Sequence, residues 1–246
     1  MHKKGQVTVF VVVGLIVLII VALMLVFLQK PAITQPESVQ SNDIKEFTEN
    51  CVDEVGRDAL FMIGLQGGYY NVPTETEPIQ RNDPEYGDFQ IPHWYIIDEQ
   101  YLPDFEDIAE QVNLYFKDNF AKCTQNYQTF EVDGWLVSTD EINIETQFPS
   151  EETILIATYP LKATKGTSEV SFETLKPIRI PWDVKNTVEW AYEKTAQYSV
   201  EGSLTFPQAT DNRLLQIFPS KGSWILTFIN EKDDMEKKYV WKTAVR

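Results

Sequence analysis

The dominant pattern in the chain is an apolar stretch at residues 7–28, VTVFVVVGLIVLIIVALMLVFL, which contains no charged residue. As a helix rising about 1.5 Å per residue, it would extend about 33 Å, enough to cross a bilayer core about 30 Å thick. A globular core does not require an uninterrupted apolar helix of this length. The pattern therefore predicts a single transmembrane helix that anchors the rest of the chain to a lipid bilayer.

Beyond this stretch, residues 29–42 are polar and contain two prolines, which predicts an extended linker. Apolar residues then recur every three or four positions at residues 43–63 and 103–122, which predicts two amphipathic helices. In the first helix, Asp43 is the predicted N-cap and Gly64 the predicted C-terminal stop.

Two segments lie between these helices. Residues 71–90 are polar, acidic and proline-containing, which predicts a loop. Residues 91–97, IPHWYII, predict a short aromatic strand or a segment that covers the core.

From residue 127 onward the hydrophobic pattern alternates, which predicts antiparallel strands. Pro160 should limit its strand to a sheet edge or a bulge, and Lys165-Gly166 predicts a turn. One further helix is predicted at residues 182–200, with Asp183 as its cap. The predicted strands are 132–137, 141–148, 153–163, 169–175, 214–218, 224–229 and 239–244, the last two joined by a charged turn at 231–238.

Charge adds the orientation of the predicted anchor. The 246-residue chain has a formal net charge of −16, and its first thirty residues contain three lysines and no acid, so the remainder carries −19. Such a surface repels nucleic acid and anionic lipid headgroups, so neither is an expected partner. Lys3 and Lys4 directly precede the apolar stretch. By the positive-inside rule, the short N-terminus is cytoplasmic and the large C-terminal part is extracytoplasmic.

The chain has two cysteines, Cys51 and Cys123, which lie on the apolar faces of the two predicted amphipathic helices. The extracytoplasmic side is oxidising, so we predict a disulfide between them, with two free thiols as the alternative. The bridge would close a loop of about seventy residues, worth about 4 kcal/mol in the chain-entropy model.

Together these patterns predict an α+β fold. A single N-terminal transmembrane helix is followed by a two-helix, disulfide-linked subdomain and then by an antiparallel sheet with one packing helix. The predicted segments are a cytoplasmic N-terminus at 1–6, the transmembrane helix at 7–28, the linker at 29–42, the helical subdomain at 43–126 and the β-rich subdomain at 127–246.

The N-terminal sequence KKGQVTVFVVVG resembles the class III signal of archaeal type IV pilin-like proteins. The resemblance covers about twenty residues and implies cleavage between Gly5 and Gln6, leaving the apolar helix on the mature protein. Phe10 stands where pilins commonly carry an acid. A secretory signal peptide is disfavoured, because the apolar stretch is too long and no small-x-small cleavage site follows it.

A second resemblance covers most of the chain. The order of its segments is similar to that in a group of uncharacterised archaeal membrane-anchored proteins. The segments are the anchor, the linker, a cysteine-containing helix, GLQGGYY at residues 64–70, a second helix ending in cysteine, and ATYPLKA before a strand and helix. This resemblance implies an archaeal surface protein and no particular chemistry.

No motif in the sequence assembles a catalytic, metal or cofactor site. The histidines are His2 and His93, and the latter is interpreted as a half-buried structural residue. GxSxG, P-loop and GxGxxG motifs are absent from the sequence, and zinc would require a His/Cys cluster. Asp83, Glu85 and Asp88 could offer oxygens to calcium, but they lack EF-hand order, and a solvated acidic loop is preferred.

The string GLQGGYY has two interpretations. Gly67 and Gly68 could let the backbone approach a ligand such as a sugar, on which Tyr69 and Tyr70 would stack. Alternatively, the glycines end the helix in left-handed conformations while the tyrosines pack on the domain, which we favour.

Three functional hypotheses follow. The first is a single-pass membrane-anchored protein with a non-catalytic extracytoplasmic domain that contacts a surface protein or glycan. The second is a pilin-like subunit that self-associates into an archaeal filament. The third is a membrane-tethered hydrolase or carbohydrate-binding protein.

Overall fold

The computed structural model describes residues 41–84, 86–97, 99–201, 213–220, 222–230 and 240–246. The predicted cytoplasmic terminus, transmembrane helix, Gly5–Gln6 cleavage site and nearly all of the linker lie outside these residues. Among the helices in the described segments, none has the length and hydrophobicity that a bilayer crossing requires.

The described chain has an α+β fold with largely antiparallel sheets, as predicted. Residues 40–246 form one compact unit, so the predicted boundary at residue 126 falls inside it. The helices are α1 (Ser41–Leu65), α2 (Phe105–Thr124), α3 (Gln128–Val132) and α4 (Val184–Glu201). The strands are β1 (Ile79–Asp83), β2 (Gly87–Ile91), β3 (His93–Ile96), β4 (Glu99–Gln100), β5 (Leu136–Thr139), β6 (Asn143–Gln147), β7 (Thr153–Lys165), β8 (Ser168–Thr174), β9 (Ile178–Ile180), β10 (Arg213–Ser220), β11 (Ser223–Asn230) and β12 (Val240–Val245).

One five-stranded sheet has the order β10-β11-β12-β3-β4 and joins strands from both ends of the described chain. Its pairs are antiparallel except β12 with β3, which is parallel. Three fully buried indoles, Trp94, Trp182 and Trp241, pack together against this sheet, with centroid distances of 6.3 and 6.2 Å from Trp241 to the other two. The parallel pair therefore ties the two predicted subdomains into one core.

A second sheet is organised around the thirteen-residue strand β7. Strands β5 and β6 pair along one edge of β7, and β8 and β9 along the other. The β7–β8 register shifts between Thr158 and Leu161, so the predicted bulge at Pro160 is confirmed, while an edge position for β7 is not. Alternate β7 side chains are buried, which gives this sheet one core face and one solvated face.

The N-termini of two of the three long helices are capped by a local side chain. Asp104 caps α2 in a reciprocal capping box with Asp107, and Pro103 lies just before the cap. The predicted cap of α4 is confirmed, because the Asp183 carboxylate accepts a 3.1 Å bond from the Asn186 backbone N–H. The predicted cap of α1 is wrong: the helix already begins at Ser41, so Asp43 lies inside its first turn.

Two predicted elements differ from the structure. The predicted loop at residues 71–90 contains the antiparallel hairpin β1–β2, because the polar side chains on these strands lie on a solvated hairpin. The predicted strand at 132–137 instead begins at Leu136, after α3. A turn at Gly134 (φ +87°) precedes it, and the Trp135 N–H donates to the Phe130 carbonyl at 3.0 Å, which continues the turn after α3.

Candidate functional site

The predicted disulfide between Cys51 and Cys123 is present and joins α1 to α2, with a Cα–Cα distance of 5.8 Å. Cys51 is buried and Cys123 is half-buried, so the bridge lies at the edge of the helix–helix contact. Its role in the structure is a covalent link across 72 residues of sequence.

The GLQGGYY segment ends α1 with a Schellman motif, as the preferred interpretation predicted. Gly67 has φ +58°, and its N–H donates to the Gly64 carbonyl at 3.2 Å. The Gly68 N–H donates to the Ile63 carbonyl at 2.8 Å, which completes the motif. Gly64 was predicted as the stop, but it lies inside the helix, where an added Cβ would be 2.4 Å from the Val240 carbonyl oxygen.

Gly67 and Gly68 also approach the rest of the domain closely. A Cβ on Gly67 would lie 2.7 Å from the Lys242 carbonyl oxygen and 2.9 Å from the Pro92 ring, and one on Gly68 would lie 2.6 Å from the Pro103 ring. The Trp94 indole N–H donates to the Gly67 carbonyl at 3.0 Å. Both glycines therefore serve packing, and no space at their backbone is open to a ligand.

The two tyrosines that follow bind to the domain through their hydroxyls. The Tyr69 hydroxyl donates to the Tyr101 carbonyl at 3.1 Å, and burial, reinforced by the nearby acids Asp107 and Glu75, raises the pKa of Tyr69 to about 12. The Tyr70 hydroxyl donates to the Asp118 carboxylate at 3.0 Å. The pKa of Tyr70 is raised, mainly by burial and secondly by this hydrogen bond.

Tyr70 also borders a cleft of about 370 Å³ between the end of the GLQGGYY segment and the β1–β2 hairpin. We call it the amide cleft, because four of its side chains are amides. Its lining residues are Gln66, Tyr70, Asn71, Val72, Gln80, Asp88, Phe89 and Gln90.

Gln66 fixes the two walls of the amide cleft to each other. Its side-chain NH₂ donates to the carbonyls of Tyr69 and Tyr70 at 3.1 and 3.0 Å, and its oxygen accepts from the Gln90 backbone N–H at 3.1 Å. From the opposite side, the Gln111 side-chain oxygen accepts from the backbone N–H groups of Tyr70 and Asn71 at 2.9 and 3.0 Å. Tyr70 stands out in the sequence through the GLQGGYY string, whereas the hairpin wall falls within the predicted loop and has no such signal.

His93 is a buried structural residue rather than a half-buried one, with 3% of its surface exposed. Its Nδ1 lies 2.8 Å from the Glu77 carbonyl and its Nε2 lies 2.8 Å from the Ser223 hydroxyl. Ser223 is itself buried, so this serine–histidine pair is closed to a substrate. The contact links β3 to β11 and to the turn before β1.

Two of the acids considered for calcium accept hydrogen bonds within the β1–β2 hairpin. The Asp83 carboxylate accepts from the Tyr86 backbone N–H at 3.3 Å, and Asp88 accepts from the Asn82 amide. Glu85 lies outside the described residues. Within the described segments, no group of three or more histidine, cysteine or acidic side chains could hold a metal ion.

A second cleft, of about 380 Å³, adjoins a left-handed turn that the sequence did not predict. Gln125, Asn126 and Tyr127 all have positive φ, between 46° and 60°. Such backbone is costly for residues with side chains, and the buried Tyr127 ring offsets the cost by packing on Phe47 and Phe130. Asn126, which tolerates this conformation, is the single local signal of the turn.

Comparison with known proteins identifies no relative: neither a family model, nor a curated protein, nor a solved structure matches this chain.

Proposed function

We propose that the chain is a single-pass membrane protein whose N-terminal helix at residues 7–28 anchors an extracytoplasmic, non-catalytic interaction domain. The Cys51–Cys123 disulfide supports the extracytoplasmic location, because such bridges persist in oxidising compartments. The apolar stretch and the flanking Lys3 and Lys4 support the anchor and its orientation. The buried, fully engaged His93 supports a non-catalytic role.

Cysteine labelling in intact cells tests this topology, because both native cysteines are bonded to each other. Ser171→Cys places a thiol at an exposed position of β8, and His2→Cys places one in the predicted cytoplasmic terminus. A membrane-impermeant maleimide should label Ser171→Cys in intact cells. It should label His2→Cys only after the cells have been permeabilised. Labelling of Ser171→Cys that also requires permeabilisation would contradict the proposal.

A pilin-like subunit is the second candidate, favoured by the Gly5–Gln6 dipeptide directly before the apolar stretch. Intact mass of the membrane-extracted protein distinguishes the two candidates. An anchored surface protein retains residues 1–5, whereas a processed pilin-like subunit lacks them. The same spectrum checks the bridge, since reduction should add two hydrogens.

A further inference from the structure

The β1–β2 hairpin presents a row of polar side chains at the amide cleft. In the hairpin register, Gln80 lies opposite Gln90 and Asn82 lies opposite Asp88. Because side chains alternate along a strand, these four share one face of the hairpin. Gln80, Gln90 and Asp88 line the cleft, and the Asn82 amide orients the Asp88 carboxylate.

The amide groups at the cleft are available for a ligand. Asn71 and Gln80 are exposed and Gln90 is half-buried. In the part of the chain that the structure describes, no hydrogen bond engages the side-chain amides of these three residues. Each amide offers two donors and one acceptor oxygen, a combination that matches adjacent hydroxyl groups.

Charge and shape narrow the class of ligand. The lining includes Asp88 and no lysine or arginine, so phosphate and sulfate groups are disfavoured. The half-buried Tyr70 ring is held in place by an edge contact with Tyr115, at 5.1 Å between centroids, and by its bond to Asp118. A fixed aromatic ring beside several hydroxyl-binding groups suits the alternating apolar and polar surface of a sugar ring.

The cleft walls are already ordered. The Gln66 and Gln111 bonds hold the Tyr70–Asn71 backbone, and the Gln66–Gln90 bond holds β2. Binding would therefore order few main-chain groups, which lowers its entropic cost. We propose that the amide cleft binds a neutral oligosaccharide through Asn71, Gln80, Gln90 and Asp88, with Tyr70 stacking on one sugar ring. This inference rests on the proposed function and names its partner class.

Calorimetry on the full chain in lipid nanodiscs tests the proposal. Nanodiscs are used because the sugar headgroups of maltoside detergents would compete for the cleft. The probes are maltohexaose, cellohexaose, chitohexaose and a linear mannohexaose, with a sulfated hexasaccharide as the charged comparison. At least one neutral probe should bind more tightly than the sulfated one. In the double variant Asn71→Ala/Gln80→Ala, the Kd for that neutral probe should be about tenfold higher or more, because several hydroxyl contacts are lost.

Asn50→Ala/Gln128→Ala is the matched control, because it removes one exposed asparagine and one exposed glutamine on α1 and α3. It should leave the Kd unchanged. Tyr70→Phe keeps the ring and should retain binding within about twofold, whereas Tyr70→Leu should weaken it. Circular dichroism checks that each variant folds.

Two outcomes overturn the proposal: no neutral probe binds at about 10 mM, or the cleft and control double variants bind equally well. The measurement uses purified protein and does not depend on membrane orientation. A failure here would therefore leave the labelling test of topology unaffected, and a failed topology would leave any measured sugar binding intact.

Discussion

Gly67 combines two constraints that act on a single residue. Its φ of +58° belongs to the left-handed region, where a Cβ is strained, and its backbone lies against Lys242 and Pro92. Gly166 has a nearly identical φ of +59°, but an added Cβ there would meet nothing within 4 Å. The pair therefore separates the cost of backbone conformation from the cost of close packing.

Gly67→Ala should reduce the free energy of unfolding by about 2–4 kcal/mol, as left-handed strain and overpacking add together. Gly166→Ala should cost about 1 kcal/mol, from strain alone. Urea unfolding followed by tryptophan fluorescence measures both values. Equal losses of unfolding free energy in the two variants would show that the close contact with Lys242 and Pro92 adds nothing to the cost of the Gly67 substitution.

The half-buried phenols of Tyr69 and Tyr115 predict a loss of stability at high pH. Burial raises the pKa of Tyr69 and of Tyr115 to about 12 from an ordinary value of 10.0. The folded state thus holds these protons more tightly than the unfolded state. The resulting stabilisation is complete below pH 10 and is lost as the pH rises from 10 towards 12.

Tyr115→Phe tests this effect, because no hydrogen bond within the described segments uses the Tyr115 hydroxyl. The variant should show a shallower fall in unfolding free energy between about pH 10 and 12 than the unmodified chain. Absorbance at 295 nm should also show one fewer late-ionising phenol. Identical slopes would contradict the assignment.

At the scale of elements, the contribution of the disulfide between α1 and α2 can be measured by removing it. Cys51→Ala/Cys123→Ala should lower the free energy of unfolding by about 4 kcal/mol, since the bridge closes a loop across 72 residues. Unfolding curves recorded with and without reductant provide the measurement. The double variant should be insensitive to reductant, whereas the unmodified chain should lose a similar amount of stability on reduction.

Elements with their own local signals could be predicted from the sequence. Helix α4 has Asp183 as its cap, and β7 has strict alternation, so both were predicted within a few residues. The β1–β2 hairpin was missed because its polar strands resemble a loop. The Gln66–Gln90 bond and the packing of Lys242 on Phe89 support it from distant parts of the chain.

The candidate site could be predicted only in part, because only some of its residues have a local signal in the sequence. Tyr70 belongs to the distinctive local string GLQGGYY, so it could be identified from the sequence. Gln80 and Gln90 come together with it through the hairpin register and through Gln66, which no local pattern reveals. A site assembled from separate segments requires tertiary structure to be located.

At the scale of the whole molecule, residues 40–246 should unfold in one transition. Strand β3 lies in the predicted helical subdomain and pairs with β12 of the predicted β-rich subdomain, so neither part has a complete core alone. Far-UV circular dichroism and tryptophan fluorescence should give coincident urea midpoints. Two separated midpoints would indicate that the parts on either side of residue 126 are independent.

The β3–β12 pair also determines the order in which the chain can fold during its synthesis. The Thr243 hydroxyl donates to the Pro92 carbonyl across 151 residues of sequence, so the first sheet cannot close until β12 has been synthesised. Cys51 and Cys123 are both made earlier, because synthesis proceeds from the N-terminus. Oxidation can therefore join α1 to α2 while β3 still lacks its neighbour. During that interval the edge of β3 that later pairs with β12 has no neighbour, which makes this the stage at which the chain is most prone to aggregate.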